Sequence, residues 1–430
     1  MHRLVGLLGI AVLLLIAWSL SSNRRRVPWR LIVSGLLLQF VFAVLLLKVP
    51  LVVDGFDLLA RGVRVLIGFA DEGIEFVFGE KLADPMGPVG FVFAVRALPV
   101  IIFFGSLMGV LYHIGLMQRI VAVLAWLLRR TLKVTGAEAL AMAANVFVGQ
   151  TEAPLCVRPY IARMTDSQIM TLMVGGFATI AGSVLAVYVG MLGGPDTVAQ
   201  ELFIKHLLTA SIMSAPAAFI MARLMVPETE EPEDEVAFVA HFERETTNLI
   251  EAAAAGATDG LRLAVNVGAM LIAFVALLAL IDWPLTAFCE WEPIAFWREQ
   301  FGIPVLSLEF MLGLVFAPLA WTMGVPWEDC LQFGSLLGQK LIATEFYAYA
   351  SLAEMAQAEA GGETMNERSI AIGAYALCGF ANFASIGIQI GGLTALAPTR
   401  RKDFARFGLR AMFAGALASW LTATIAGIVL

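Results

Sequence analysis

The sequence predicts an all-α polytopic membrane protein, with about eight transmembrane helices plus two re-entrant helical hairpins in inverted-topology repeats. Three observations predict it. Of 430 residues, 60% are hydrophobic and only 15% charged, far more apolar than a soluble domain with one buried face per element requires. Long runs are nearly free of charge, at lengths near the roughly 20 residues that a hydrocarbon core about 30 Å thick demands. Two more apolar stretches, 136–166 and 330–356, each carry polar residues and a central glutamate.

Taken in order, spans are expected at 3–21, 29–49, 92–116, 168–192, 202–226, 261–282, 370–394 and 404–428. The first run, Leu4 to Leu20, has no basic region before it, and Arg24, Arg25, Arg26 and Arg30 follow it. A cleaved signal peptide has the opposite polarity, so the run is expected to be a retained span. Residues 51–86 alternate charged and apolar residues at helical spacing and are expected as an amphipathic helix on the outer surface. Arg96 near the outer end of span 3 is expected to snorkel to the interface.

Basic clusters follow span 1 (Arg24–Arg30), span 3 (Arg119, Arg129, Arg130, Lys133) and span 7 (Arg400, Arg401, Lys402). All fall in loops of one parity, which positive-inside bias assigns to the cytoplasm. The chain is therefore expected to cross the inner (cytoplasmic) membrane several times with both termini outside. The acidic stretch Glu228–Glu245 supplies much of the net charge of −7 and is expected to be a solvated connector between halves. His113 and His206 are expected to be satisfied interfacial histidines near helix ends rather than proton relays. Cys156, Cys289, Cys330 and Cys378 lie far apart with no CxxC pair, which disfavours a disulfide framework or zinc site. The GxxxG pairs Gly105–Gly109 and Gly334–Gly338 predict close helix packing.

Charge parity leaves no crossing for 136–166 or 330–356, so both are expected to enter and return. Irregular backbone at membrane depth persists only where it lines a protein cavity. Each tip carries Thr-Glu, as Thr151-Glu152 and Thr344-Glu345, and each hairpin precedes a related helix, GFATIAGS at 176–183 and GFANFASI at 379–386. The span count points these two helices in opposite directions, the pattern of inverted repeats with discontinuous helices around a midplane site.

An acidic residue at the bilayer centre costs roughly 2.5–3.5 kcal/mol on the insertion scale, so Glu152 and Glu345 are candidates for function. The alternative is a pair of structural carboxylates satisfied by hairpin amides. Gln150, Thr151, Asn382 and Ser385 add amides and hydroxyls, and Phe380 adds a ring face. That set suits an uncharged solute with several hydroxyls and a flat polar ring. Lys340 and Arg158 are expected on hairpin arms away from the centre, which disfavours phosphorylated substrates. A monovalent cation prefers oxygens, and Asn145, Thr179 and the carbonyls of Val148 and Ile180 could supply them. Alternatively, Asn145 and Thr179 only satisfy irregular backbone.

These motifs resemble the concentrative nucleoside transporter family. The resemblance rests on FAVRALPVIIFFGSLMGVLYHIGL (93–116), NVFVGQTEAPLCVRPYI (145–161), HLLTASIMSAPAA (206–218), NLIEAAAAGATDGLRLAVNVGAMLIAF (248–274), EFYAYASL (345–352) and CGFANFASIGI (378–388). It covers most of the chain from about residue 90 onward, in family order. It implies a homotrimer that imports nucleosides by elevator-type alternating access. Gln150, Thr151 and Glu152 would contact the nucleobase with Val184 packed nearby. Glu345, Asn382 and Ser385 would hold ribose hydroxyls, and Phe380 would border the sugar. Asn145, Val148, Thr179 and Ile180 would hold the coupling ion, sodium, with no other cofactor; the TEAPL form of the first hairpin resembles sodium-coupled members. A proton-coupled nucleoside symporter is the alternative. Two positions depart from common members: Thr344 stands where Asn is frequent, and Thr179 where Ser is.

The resemblance also implies a division of the chain. Scaffold helices 1–3 with the outer interfacial helix occupy 1–116, and the first transport repeat occupies 117–226. A cytoplasmic acidic linker and interfacial segment follow at 227–260, then scaffold helix 6 at 261–282 and the second transport repeat at 283–430. Besides the nucleoside and sodium, the expected partners are the lipid bilayer and two further copies of the chain, and no nucleic acid. An intramembrane enzyme is disfavoured, since HExxH, GxSxG and DDxxD are missing from the sequence. A passive channel would not need polar groups converging on a closed site.

Overall fold

The structure is a computed structural model that describes residues 2–83, 92–232, 246–292, 294–295, 300, 305–357 and 365–430. Among the described residues every regular element is helical. Six segments among the described residues are long and apolar enough to cross a membrane: Trp29–Lys48, Phe93–His113, Asp166–Gly193, Thr197–Met225, Leu249–Glu290 and Pro398–Val429. Val5–Ser19 and Phe383–Leu396, within two further expected spans, are apolar but shorter.

The chain begins with α1 (His2–Ser19), α2 (Trp29–Lys48) and the amphipathic α3 (Pro50–Phe78). Three ion pairs tie α3 down: Asp57–Lys205 at 2.8 Å, Arg64–Glu201 at 2.9 Å and Asp71–Arg96 at 3.3 Å. Arg96 thus reaches from the start of span 3 to Asp71 of α3. A single helical turn, Phe93–Arg96, then leads into α4 (Leu98–His113).

The first repeat continues with α5 (Leu116–Leu132), α6 (Gly136–Asn145), α7 (Asp166–Ala178), α8 (Gly182–Gly193) and α9 (Thr197–Met225). After the connector comes the long α10 (Leu249–Glu290), and the second repeat then holds α11 (Leu308–Thr322), α12 (Cys330–Ile342), α13 (Glu345–Gln357), α14 (Glu367–Leu377), α15 (Phe383–Leu396) and α16 (Arg401–Val429). The preceding helices α5 and α11, which the spans did not foresee, pack on the first arms α6 and α12 of the two hairpins.

Local chemistry sets the boundaries. Thr135 and Glu138 form a capping box that opens α6, and Thr165 and Gln168 form another for α7; each satisfies two amides that would otherwise lack partners. Asn248 accepts from the Glu251 amide at 2.9 Å and starts α10. α10 therefore begins at Leu249, and residues 249–260 are continuous in one helix with the span expected at 261–282. Glu251, Thr258 and Asp259 lower the hydropathy of that stretch, while its small residues permit close packing. A Cβ on Gly105 would lie 2.6 Å from the Gly256 carbonyl oxygen, and one on Gly260 would lie 2.7 Å from that of Ile101. α4 and α10 therefore cross backbone to backbone. Gly334 meets the Gly313 carbonyl in the same way, at 2.6 Å.

α1 and α2 pack on α9 and α16 rather than on the α4–α10 pair. Gln39 of α2, fully buried, donates to the Met213 carbonyl at 3.0 Å and to Thr422 Oγ1 at 3.2 Å. Both chain ends meet, with Arg3 Nη2 donating to the Leu430 carbonyl at 2.6 Å.

Residues 233–245 of the acidic connector lie outside the described residues. Its first residue is no solvated charge, because Glu228 pairs with Arg223 at 2.6 Å and accepts from Thr165 Oγ1 at 2.8 Å. Arg223 also binds Glu138 at 2.6 Å, both buried. His206 is likewise a core residue rather than an interfacial one, 3.1 Å from the Tyr375 hydroxyl.

Candidate functional site

Two broken helices build the centre of the molecule. The first breaks at 179–181, between α7 and α8, and the second at 378–382, between α14 and α15. The two breaks touch. Gly379 has φ +137°, and a Cβ there would lie 2.7 Å from the Phe177 carbonyl oxygen, so only glycine fits. Gln389 of α15 reaches back across α7, donating to the Met173 carbonyl at 2.9 Å.

The hairpin tips close on these breaks from both sides. In hairpin 1 the tip lies between α6 and the 3₁₀ turn Ala153–Val157, and the Gly182 amide donates to the Phe147 carbonyl at 2.9 Å. In hairpin 2 only Ala343 and Thr344 separate α12 from α13. The result is a cavity of about 1110 Å³. Gln150, Thr151, Glu152, Val184, Glu345, Phe380, Asn382 and Ser385 all line it. Every substrate residue expected from the sequence therefore reaches one space, although they come from four separate chain segments.

The two glutamates are presented differently. Glu345 is 2% exposed. Its Oε1 accepts from the Tyr188 hydroxyl at 3.1 Å and its Oε2 from Asn382 Nδ2 at 2.7 Å. Asn382 caps α15 in turn, with Oδ1 accepting from the Ser385 amide at 2.8 Å. Glu152 instead opens onto the cavity, accepting from Thr151 Oγ1 at 3.1 Å. The first carboxylate is thus locked in place and the second is free to meet a solute.

Of the expected cation ligands, Val148 lines the cavity while Asn145, Thr179 and Ile180 lie behind it, each 1% exposed. Thr179 Oγ1 donates to the Gly175 carbonyl at 2.9 Å, which leaves its lone pairs unused. Neither amide atom of Asn145 has a partner. A buried amide without partners is costly, so this pocket of oxygens suits a ligand that supplies positive charge.

Several residues of the site, in its wall or buried behind it, were not expected. Tyr188 lies one turn beyond Val184 and carries the only hydroxyl of that turn; an aromatic hydroxyl in an apolar span was its signal in the sequence. Arg158, expected away from the centre, lines the cavity with Arg262, Asp259 and Asn266. A 3₁₀ turn and the short helix Arg158–Ile161 replace a long second arm, which keeps Arg158 at the wall. Lys340 does lie on a hairpin arm, as expected, and is fully buried. Cys156 is half-buried, packed against the core on one side and bordering the cavity on the other.

Three family models match the chain: "Na+ dependent nucleoside transporter N-terminus" over residues 8–81, "Nucleoside recognition" over 94–195 and "Na+ dependent nucleoside transporter C-terminus" over 206–427. The chain belongs to the concentrative nucleoside transporter family. An uncharacterized transporter of Haemophilus influenzae is 45% identical over 100% of this chain and 98% of its own length. Solute carrier family 28 member 3 and sodium/nucleoside cotransporter 1 of Mus musculus are 40% and 39% identical over 99% of this chain. The chain spans 59% and 64% of the length of those two relatives. Among solved structures, CNTnw in an inward-facing, substrate-bound state matches with TM-score 0.89 at 42% identity, covering 100% of this chain and 98% of that one. A substituted CNTnw in an outward-facing state matches with TM-score 0.89 at 41% identity, with the same coverage. The concentrative nucleoside transporter fold thus accounts for the all-helical architecture and both hairpins, and its members are transporters rather than enzymes.

Proposed function

We propose that this chain is a secondary active symporter that imports nucleosides, driven by sodium, through elevator-type alternating access. The observation that carries it is the convergence of both hairpin tips and both helix breaks on one cavity with a locked and an open carboxylate. Gln150, Thr151 and Glu152 read the nucleobase beside Val184. Glu345, Asn382 and Ser385 take the ribose hydroxyls, with Phe380 against the sugar. Asn145, Thr179 and the carbonyls of Val148 and Ile180 coordinate sodium. The unpartnered amide of Asn145 supports sodium, and relatives named as sodium/nucleoside cotransporters support it further.

Coupling follows from position. Sodium between the hairpin 1 tip and the α7–α8 break orders Gln150–Glu152, so each ligand favours binding of the other. The fixed scaffold centres on the close-packed α4–α10 pair. The two repeats move against it, and α1 and α2 travel with α9 and α16, against which they pack. Three copies assemble in the bacterial inner membrane, with both chain ends outside.

Uptake of labelled uridine and adenosine into proteoliposomes tests this. An inward sodium gradient is expected to drive accumulation above equilibrium. Accumulation driven by a proton gradient alone would assign the alternative coupling ion, and none under either gradient would refute transport.

A further inference from the structure

The two hairpins differ in one respect that the symmetry of the repeats makes visible. In the first, the last residue of the leading arm is Asn145, buried and unpartnered. Beside it, Ser211 of α9 donates to the Val146 carbonyl at 2.8 Å. In the second, the last turn of the leading arm carries Lys340, with 0% exposure. Its Nζ donates to the Ala376 carbonyl at 2.9 Å, in the last turn of α14, and to Ser419 Oγ of α16 at 2.7 Å. α14 and α16 correspond in the second repeat to α7 and α9 in the first. Each leading arm therefore ends between a broken helix and a serine of the closing helix.

We infer that Lys340 is a built-in cation: its ammonium does for hairpin 2 what the coupling ion does for hairpin 1. This rests on the reading of Asn145 as a sodium ligand. A buried ionic charge requires compensation. Glu345 is buried and accepts hydrogen bonds only from the neutral groups of Tyr188 and Asn382 among the described residues. Lys340 bonds only neutral oxygens among the described residues and precedes Glu345 by five positions, across the tip. Two further carboxylates face this hairpin, Asp282 of α10 and Glu309 of α11, but both are only partly buried and so keep solvent, with Glu309 also accepting from Gln339 Nε2 at 3.0 Å and the Tyr347 hydroxyl at 2.8 Å. The buried part of hairpin 2 thus carries one charge of each sign, Lys340 and Glu345, whether or not solute is bound, Glu354 being exposed. The unloaded site then moves with one uncompensated carboxylate, Glu152, instead of two.

The test is a double-mutant cycle in the full-length chain with Lys340→Met, Glu345→Gln and the pair combined. Folded protein is read by fluorescence size-exclusion of detergent extracts and by thermal melting, without nucleoside or sodium. Lys340→Met is expected to lose roughly tenfold or more in folded yield, because it strands a buried carboxylate. The double variant is expected to recover most of that loss. A double variant no better than Lys340→Met, including loss of both, overturns the inference. So does a Lys340→Met protein as abundant and heat-stable as the parent. Since the readout needs no transport, it stands apart from failure of the uptake experiment.

Discussion

The hydroxyl of Tyr188 lies 3.1 Å from Oε1 of Glu345, joining α8 of the first repeat to the tip of the second hairpin. Tyr188 also stacks on Tyr349 at a ring separation of 4.2 Å and meets Phe346 edge-on at 4.9 Å. The carboxylate is aimed by a residue from the opposite half of the chain. Tyr188→Phe keeps this packing and removes only the hydroxyl. A hydrogen bond to a charged group is worth about 1.5–3 kcal/mol, so uridine KM is expected to rise about tenfold with folded yield unchanged. An unaltered KM in uptake assays would show that Glu345 needs no aiming.

Glu345→Gln removes the acceptor proposed to hold ribose. The expected result is weaker binding of ribonucleosides, by roughly one to two orders of magnitude for a charged hydrogen bond lost, and a smaller effect on analogues lacking ribose hydroxyls. Competition against labelled uridine measures both. Equal losses for the two series would move the sugar away from this carboxylate.

Asn145→Ala deletes the unpartnered amide behind the cavity. Half-maximal uptake is expected to need about tenfold more sodium, a change of about 1.4 kcal/mol per ligand lost. Uptake is followed as sodium replaces choline at constant ionic strength. Unchanged sodium dependence would place the ion elsewhere.

Gly105→Leu puts a side chain where Gly256 leaves no room, with even a Cβ only 2.6 Å from its carbonyl oxygen. Overpacking costs about 1–3 kcal/mol, and here backbone must yield. The α4–α10 crossing is expected to open, with a lower melting temperature in detergent. Gly55→Leu on α3, where a Cβ meets nothing within 4 Å, is the control. Equal melting of the two variants would remove the crossing from the account.

Much of this organisation was legible in the chain. Long apolar runs identify spans because only helices satisfy their own backbone in lipid, and a glutamate within such a run marks a place worth its insertion cost. The repeated Thr-Glu tips and the two GFA motifs pointed to a shared centre, and all eight residues proposed to meet the substrate do line one cavity. Misreadings came where hydropathy is a poor guide. The start of α10 reads as polar because it carries Glu251, Thr258 and Asp259, yet its glycines permit a backbone-to-backbone helix crossing. Arg158 reads as remote because it lies six residues beyond Glu152 along the chain, yet the 3₁₀ turn Ala153–Val157 keeps it at the cavity wall.

The sequence by itself determined the membrane class, the two interrupted hairpins and the residue types at the centre, since period, length and charge are local properties. Only the tertiary structure decided that Tyr188 holds Glu345, that Asn145 is left without a partner and that Lys340 is sealed between α14 and α16. Those relationships join residues between 36 and 157 positions apart, and hydrogen bonding at such separations depends on how the helices pack rather than on any pattern along one of them.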